Sequence, residues 1–263
     1  MSGVLLAAED LHYAYHADRP VLAGVSLAVR AGEVVALLGA NGGGKSTLLK
    51  LLLGLLEPSR GTVRLDGRPL RAWSRRDVAR RVAYIPQTQA MPFPYKVRDL
   101  VALGRIARRG LFDRLNRTDH AVVDAALARL AIADLAERPY TELSGGQRQL
   151  CLIARALAQE APVIVMDEPA TGLDYGNQWR LLALVRELAA EGRAFVQTTH
   201  HPEHALGGAS RVVMLYGGRV VEDGAPLDVV TPEHVRRLYG LGVTRHRLAD
   251  GNVVLVPQGA SHA

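Results

Sequence analysis

Short apolar runs of strand length alternate with longer stretches of helical periodicity along this chain, the pattern of an α/β fold. Residues 4–15 alternate loosely and predict an opening strand; 25–29 predict a second, closed by a turn at Ala31-Gly32. Residues 34–38 are apolar throughout and predict a strand buried on both faces. Strong helix formers fill 48–53. A turn at 58–61 leads to a hairpin signal, Thr62 to Leu65 followed by Asp66-Gly67. Residues 74–81 predict a short capped helix, and 82–85 a strand ending at Pro86-Gln87. From about 88 to 159 strand patterns vanish, and helical periodicity runs through 97–101, 121–130 and 150–157. Strands return at 163–166 and 194–198 with a helix from about 178 to 190 between them, which implies a mostly parallel sheet. A hairpin at 211–222 turns at Gly217-Gly218, a short helix covers 231–239, and two strands flank Asp250-Gly251. Residues 259–263 are expected to fray.

Length adds a bound: 263 residues support one large domain or two small ones. The reading adopted is a single domain over 1–263. It has an N-terminal antiparallel subdomain, a helical insertion at about 88–159 and a C-terminal extension from about 225. Apolar runs stay far below the ~18 residues of a membrane span, and no secretory signal is expected. One cysteine, Cys151, excludes an internal disulfide, fits a reducing compartment and falls on the apolar face of its helix. Net charge is +6, and 29 of the 32 basic residues are arginine. That balance favours acidic partners such as nucleotides, lipid headgroups or nucleic acid without choosing among them, and a solvated arginine-rich surface explains it equally well. The arginines between 105 and 117 have the same two readings.

The chemistry starts at Gly39-Ala40-Asn41-Gly42-Gly43-Gly44-Lys45-Ser46-Thr47, which fits G-x-x-x-x-G-K-[ST] between a buried strand and a helix. Gly39, Gly42, Gly43 and Gly44 let backbone amides, Asn41 included, turn inward around a polyphosphate at a helix N-terminus. Lys45 would reach the β- and γ-phosphates, Ser46 would ligate Mg²⁺ and Thr47 would support the α-phosphate side. The bland alternative is a glycine-rich turn with a chance lysine. The strand at 163–166 ends in Asp167-Glu168, at the sheet edge where ligands bind in open α/β sheets. Asp167 would hold Mg²⁺ through water, and Glu168 would orient or deprotonate an attacking water. In Leu143-Ser144-Gly145-Gly146-Gln147, Ser144 caps the helix through 150–157. An ordinary cap leaves the double glycine unexplained, whereas close approach of an anion explains it. His200-His201-Pro202-Glu203-His204 lacks the His-Glu-x-x-His spacing, and Pro202 is expected to interrupt any helix face, so metal binding there is not expected.

The order phosphate loop, Gln87, Leu-Ser-Gly-Gly-Gln, Asp167-Glu168, Asp174, His200 resembles an ATP-binding-cassette (ABC) nucleotide-binding domain over nearly the whole chain. The resemblance implies a P-loop NTPase core with a mostly parallel sheet, an antiparallel β subdomain and an inserted helical subdomain. It implies an ATPase using ATP and Mg²⁺. Tyr15 matches the adenine-stacking aromatic, with Tyr13 the alternative. Gln87 matches the residue that senses Mg²⁺ and the water and links to the transmembrane partner. Ser144, Gly145 and Gly146, with Gln147, match the signature that meets the γ-phosphate held by another subunit. Asp174 matches the loop that crosses the dimer interface, and His200 the switch histidine. Ala40, Gly43 and His201 depart from the commonest family residues without removing a catalytic group.

The resemblance further implies a head-to-tail dimer of two copies at the cytoplasmic face of the cell membrane. It implies separate permease subunits, a substrate-binding protein acting through them, and no nucleic acid. Residues 88–105, 173–178 and 224–240 resemble cassettes of iron-siderophore, haem and cobalamin importers. A molybdate or tungstate importer shares much of this pattern. The cassette motifs by themselves also fit an exporter subunit, or a soluble cassette acting on ribosomes or DNA.

Overall fold

The computed structural model describes residues 3–16, 18–87, 93–109, 113–249 and 251–258. The chain opens with β1 (Val4–His16) and β2 (Arg19–Arg30), then β3 (Val34–Leu38), α1 (Lys45–Leu52), β4 (Arg60–Leu65), β5 (Arg68–Pro69), α2 (Arg75–Arg81) and β6 (Val82–Ile85). Helices α3 (Val97–Ala102), α4 (Arg117–Arg129) and α5 (Gly145–Ala158) come next. Then follow β7 (Val163–Met166), α6 (Tyr175–Ala190), β8 (Ala194–Thr199), α7 (Pro202–Gly208), β9 (Arg211–Tyr216) and β10 (Arg219–Gly224). The chain closes with α8 (Pro226–Val229), α9 (Pro232–Tyr239), β11 (Val243–Arg247) and β12 (Val253–Pro257).

Two main sheets organise the molecule. One is antiparallel with the order β2-β1-β4-β5. The other has the order β10-β9-β3-β8-β7-β6, parallel except for the β9–β10 hairpin at one edge. All five residues of β3 are buried, as its unbroken apolar run requires. Val35 and Leu37 point toward α1 and the antiparallel sheet; Ala36 and Leu38 point toward α7, α8 and α9. Leu48, Leu49, Leu51 and Leu52 of α1 are fully buried, each contributing about 1.5–3 kcal/mol. On the opposite face Ile85, Ile164, Met166 and Phe195 meet α3, α4, α5 and α6, with Cys151 fully buried among them.

The parallel register decides where the site is. Leu38 pairs with Thr199, Gln197 with Met166, and Met166 with Ile85. The segments after β3, β8, β7 and β6 therefore leave the sheet side by side at its C-terminal edge. These are the segments beginning at Gly39, His200, Asp167 and Pro86.

Several elements differ from the sequence-based expectation. β2 begins at Arg19 rather than Val25, because pairing with β1 recruits the weakly patterned residues before it. α6 begins at Tyr175, not near Gln178, because Asp174 caps it through the Asn177 N–H. Pro202 does not interrupt a helix but opens α7, where its missing N–H is not needed. α7 and α8 are too short to leave a periodic signal. Residues 88–92, 110–112, Asp250 and 259–263, all touched by the expectations above, lie outside the described residues.

Candidate active site

The loop after β3 wraps around Lys45. The Lys45 ammonium, at the buried start of α1, donates to the Gly39 carbonyl at 2.7 Å and the Ala40 carbonyl at 3.0 Å. Burial lowers its pKa, and the nearby Glu168 and Asp167 carboxylates partly offset that effect. The glycines are not all explained by a phosphate. A Cβ on Gly39 would fall 2.6 Å from the Leu215 carbonyl oxygen of β9, so packing against the neighbouring strand demands glycine there. Gly44 has φ 94°, the left-handed conformation from which α1 starts.

Asp167 is buried at the end of β7. Its Oδ1 accepts from the Thr198 hydroxyl at 2.7 Å and from Ser46 at 3.3 Å, joining the phosphate loop to β7 and β8. Thr198 Oγ1 in turn accepts the Glu168 N–H at 2.8 Å. That bond helps to hold Glu168 at φ 47°, a left-handed conformation costing a non-glycine residue on the order of 1–3 kcal/mol. Glu168 Oε1 meets His200 Nδ1 at 3.0 Å, and because a carboxylate only accepts, the histidine donates there. Glu168 Oε2 accepts from the Gln87 amide at 3.0 Å and from the Thr171 hydroxyl at 3.2 Å. Gln87, Glu168 and His200, 81 and 32 residues apart in sequence, thus form one hydrogen-bonded group.

Tyr15 is 52% exposed, and its hydroxyl lies 3.3 Å from Thr47 Oγ1 at the loop. Tyr13 packs into the core beside α1 and meets the Tyr15 ring edge-on, centroids 5.0 Å apart. The side chains of Ser144 and Gln147 close a capping box on α5: Ser144 Oγ accepts from the Gln147 N–H, and Gln147 Oε1 from the Ser144 N–H. A Cβ on Gly145 would meet nothing within 4 Å, and one on Gly146 only ordinary contact with Gly172 and Leu173. Neither glycine has a positive φ, so nothing in this chain requires glycine at either position. Asp174 is exposed at the start of α6. Among the described residues no hydrogen bond joins Ser144, Gly145, Gly146 or Asp174 to the phosphate loop. One link runs toward Glu168: Gln149 of α5, buried, donates to the Pro169 carbonyl at 3.0 Å.

Sequence reasoning missed Thr171 and Thr198. The polar run Gln197-Thr198-Thr199 at the end of an otherwise apolar strand was the available signal, because buried polar side chains in a core strand need a partner. It also missed the pairing of Gln178 with His204, for which the linear pattern carries no signal.

The arrangement holds a lysine and backbone amides for phosphate, oxygen donors of the type hard cations take, and a carboxylate oriented by three groups. The family model described as ABC transporter matches residues 22–171. The hemin import ATP-binding protein HmuV of Nocardia farcinica is 44% identical over 241 residues, covering 90% of this chain and 82% of that protein. The cobalamin import ATP-binding protein BtuD of Halobacterium salinarum is 42% identical over 220 residues, covering 83% of this chain and 55% of that protein. A solved structure of an inward-facing ABC transporter assigned to the metal-chelate type superposes with a TM-score of 0.83 at 32% identity, covering 97% of this chain and 98% of that one. Sequence match, fold and site geometry agree: this chain belongs to the ABC transporter family, as one of its ATP-binding, ATP-hydrolysing cassettes.

Proposed function

We propose that Glu168 is the base that activates water against the γ-phosphate, with His200, Gln87 and Thr171 fixing its carboxylate. Lys45 exchanges its two carbonyl partners for the β- and γ-phosphates, and the amides from Gly39 to Thr47 hold the rest of the chain of phosphates. Tyr15 stacks on adenine, for which its exposure and its place beside Thr47 suit it better than the packed Tyr13. Ser46, Asp167 and Gln87 present oxygens that fit Mg²⁺, which when bound neutralises phosphate charge.

Half of the site is missing from a single chain. Ser144, Gly145, Gly146, Gln147 and Asp174 face a second copy, whose phosphate loop carries the ATP that they contact. The observation that carries this reading is the pair Gly145-Gly146, glycines for which the chain itself has no need. A head-to-tail, isologous dimer places each pair against the other copy's nucleotide.

The pair of cassettes sits at the cytoplasmic face of the membrane and drives separate permease subunits, to which a substrate-binding protein delivers the solute. No helix among the described residues is long and apolar enough to cross a membrane. The relatives' names support uptake of haem, cobalamin or a related metal chelate. Co-expressing the chain with its permease and binding protein, then identifying the ligand that the binding protein holds by mass spectrometry, tests the solute. A bound tetrapyrrole or iron chelate is expected; molybdate, tungstate or no membrane partner at all would overturn the reading.

A further inference from the structure

A second polar group lies behind Glu168 and His200. A cavity of about 190 Å³ opens between β8, α6 and α7, and Glu168, Gln178, Gln197, His200 and His204 all line it. Gln178, on the first turns of α6, donates its amide Nε2 to the Leu173 carbonyl at 3.0 Å. A carbonyl only accepts, so the amide is oriented with Oε1 toward His204, 3.2 Å from its Nε2. His204 therefore carries its proton on Nε2 and donates to Gln178. Burial lowers the His204 pKa and the neighbouring His201 lowers it further, against a smaller opposing effect of Glu203. The His204 ring lies 4.8 Å from that of His201, which lies 4.1 Å from that of His200, the donor to Glu168.

We propose that Gln178 and His204 are positioning residues that tie the loop ending in Leu173-Asp174 to His200, and through it to Glu168. The assignment rests on Glu168 and His200 serving hydrolysis as proposed above. Its consequence is that a second copy docking on the 171–174 loop moves the same unit that holds the catalytic carboxylate. Two further observations support it. α6 and α7 pack too closely to slide independently: a Cβ on Gly207 of α7 would fall 2.4 Å from the Trp179 ring of α6. Gln197, 2% exposed on the cavity floor, has no hydrogen-bond partner among the described residues for either amide atom. Gln197 lines the same cavity as Gln178 and His204, so an unused buried donor and acceptor lie beside the link.

The test uses the full-length chain and the variants Gln178→Ala, His204→Leu, His204→Gln and the Gln178→Ala/His204→Leu double. Phosphate release gives kcat, and a fluorescent ATP analogue gives nucleotide Kd. The two single disruptions should lower kcat about 3- to 30-fold, the span of network mutations, while Kd stays within about twofold. His204→Gln, whose amide N–H stands in for Nε2–H, should keep most of the activity, and the double variant should be no slower than the slower single. Gln178 is only half buried, so its variant folds even where His204→Leu does not. Unchanged kcat in Gln178→Ala, a loss carried by Kd, a His204→Gln as slow as His204→Leu, or multiplicative losses in the double would each overturn the proposal. A wild-type chain without Glu168-dependent hydrolysis would overturn the proposed function and this link with it.

Discussion

Replacing Glu168 with glutamine removes one proton acceptor and little else. The carboxylate accepts from His200 at 3.0 Å, Gln87 at 3.0 Å and Thr171 at 3.2 Å. A glutamine keeps one oxygen for His200 and turns an amide N–H₂ toward Gln87, whose own amide can rotate to offer oxygen instead. The left-handed backbone at 168 strains glutamate and glutamine alike. Loss of charge-assisted hydrogen bonds at this site costs on the order of 1 kcal/mol, which for a chain of this length lowers Tm by roughly 2–4 °C. Loss of a general base costs roughly 10²–10⁴ in rate, about 3–5 kcal/mol on the barrier. The two scales separate cleanly. Phosphate release at saturating ATP should fall by at least about 100-fold, while Tm and nucleotide affinity stay near wild type and a nucleotide-bound dimer accumulates on gel filtration. Turnover above roughly a tenth of wild type in a folded, ATP-binding variant would remove Glu168 as the base.

Other expectations are as specific. Lys45→Ala removes a charged donor to the phosphates and should weaken ATP binding about 10- to 150-fold by titration; unchanged affinity would contradict the phosphate role. Arg105, buried, holds the buried Asp119 at 3.0 Å and also bonds Glu160 and the Ala158 carbonyl. Arg105→Met should therefore cost about 1.5–3 kcal/mol in urea unfolding, because Arg109 and the Asn116 N–H still hold Asp119. Burial alone would raise the Asp119 carboxyl, but the Asn116 N–H, Arg105 and Arg109 outweigh it and hold it below the usual carboxylate range. Its contribution is thus complete above the unfolded carboxylate pKa and lost as pH falls through the lower folded value, a loss that Asp119→Asn should remove from the acid-unfolding curve. Burial pushes the Cys151 thiol up to about 12, so a soluble disulfide reagent at pH 8 should label it only after unfolding; rapid labelling of the native chain would contradict its burial.

What the linear pattern carried was local. The apolar run before Gly39, the leucines after Thr47, Ser74 as a cap and Asp66-Gly67 as a turn each depend on residues within a few positions, and the corresponding elements formed. The convergence of Gln87, Glu168 and His200 was visible only through the family resemblance, because parallel strand register brings together residues far apart in sequence. The role of Gly39 was half legible: the motif assigned it to phosphate, while its approach to the Leu215 carbonyl is set by a strand about 175 residues later. The first turn of α6 and the whole of α7 were missed for another reason. Asp174 and Pro202 act there as helix-start residues, and neither is followed by an apolar stripe long enough to outweigh its turn-like character.

The central claim is that each ATP is held by the phosphate loop of one copy and the Ser144-Gly145-Gly146 of another. Mixing a Ser144→Arg chain with a Lys45→Ala chain tests it directly. Neither chain alone has a complete site, whereas a mixed dimer has one intact and one doubly damaged site. With random pairing, ATP hydrolysis by an equal mixture should return to about a quarter of the wild-type rate per chain. A mixture as inactive as its two components would contradict the shared site.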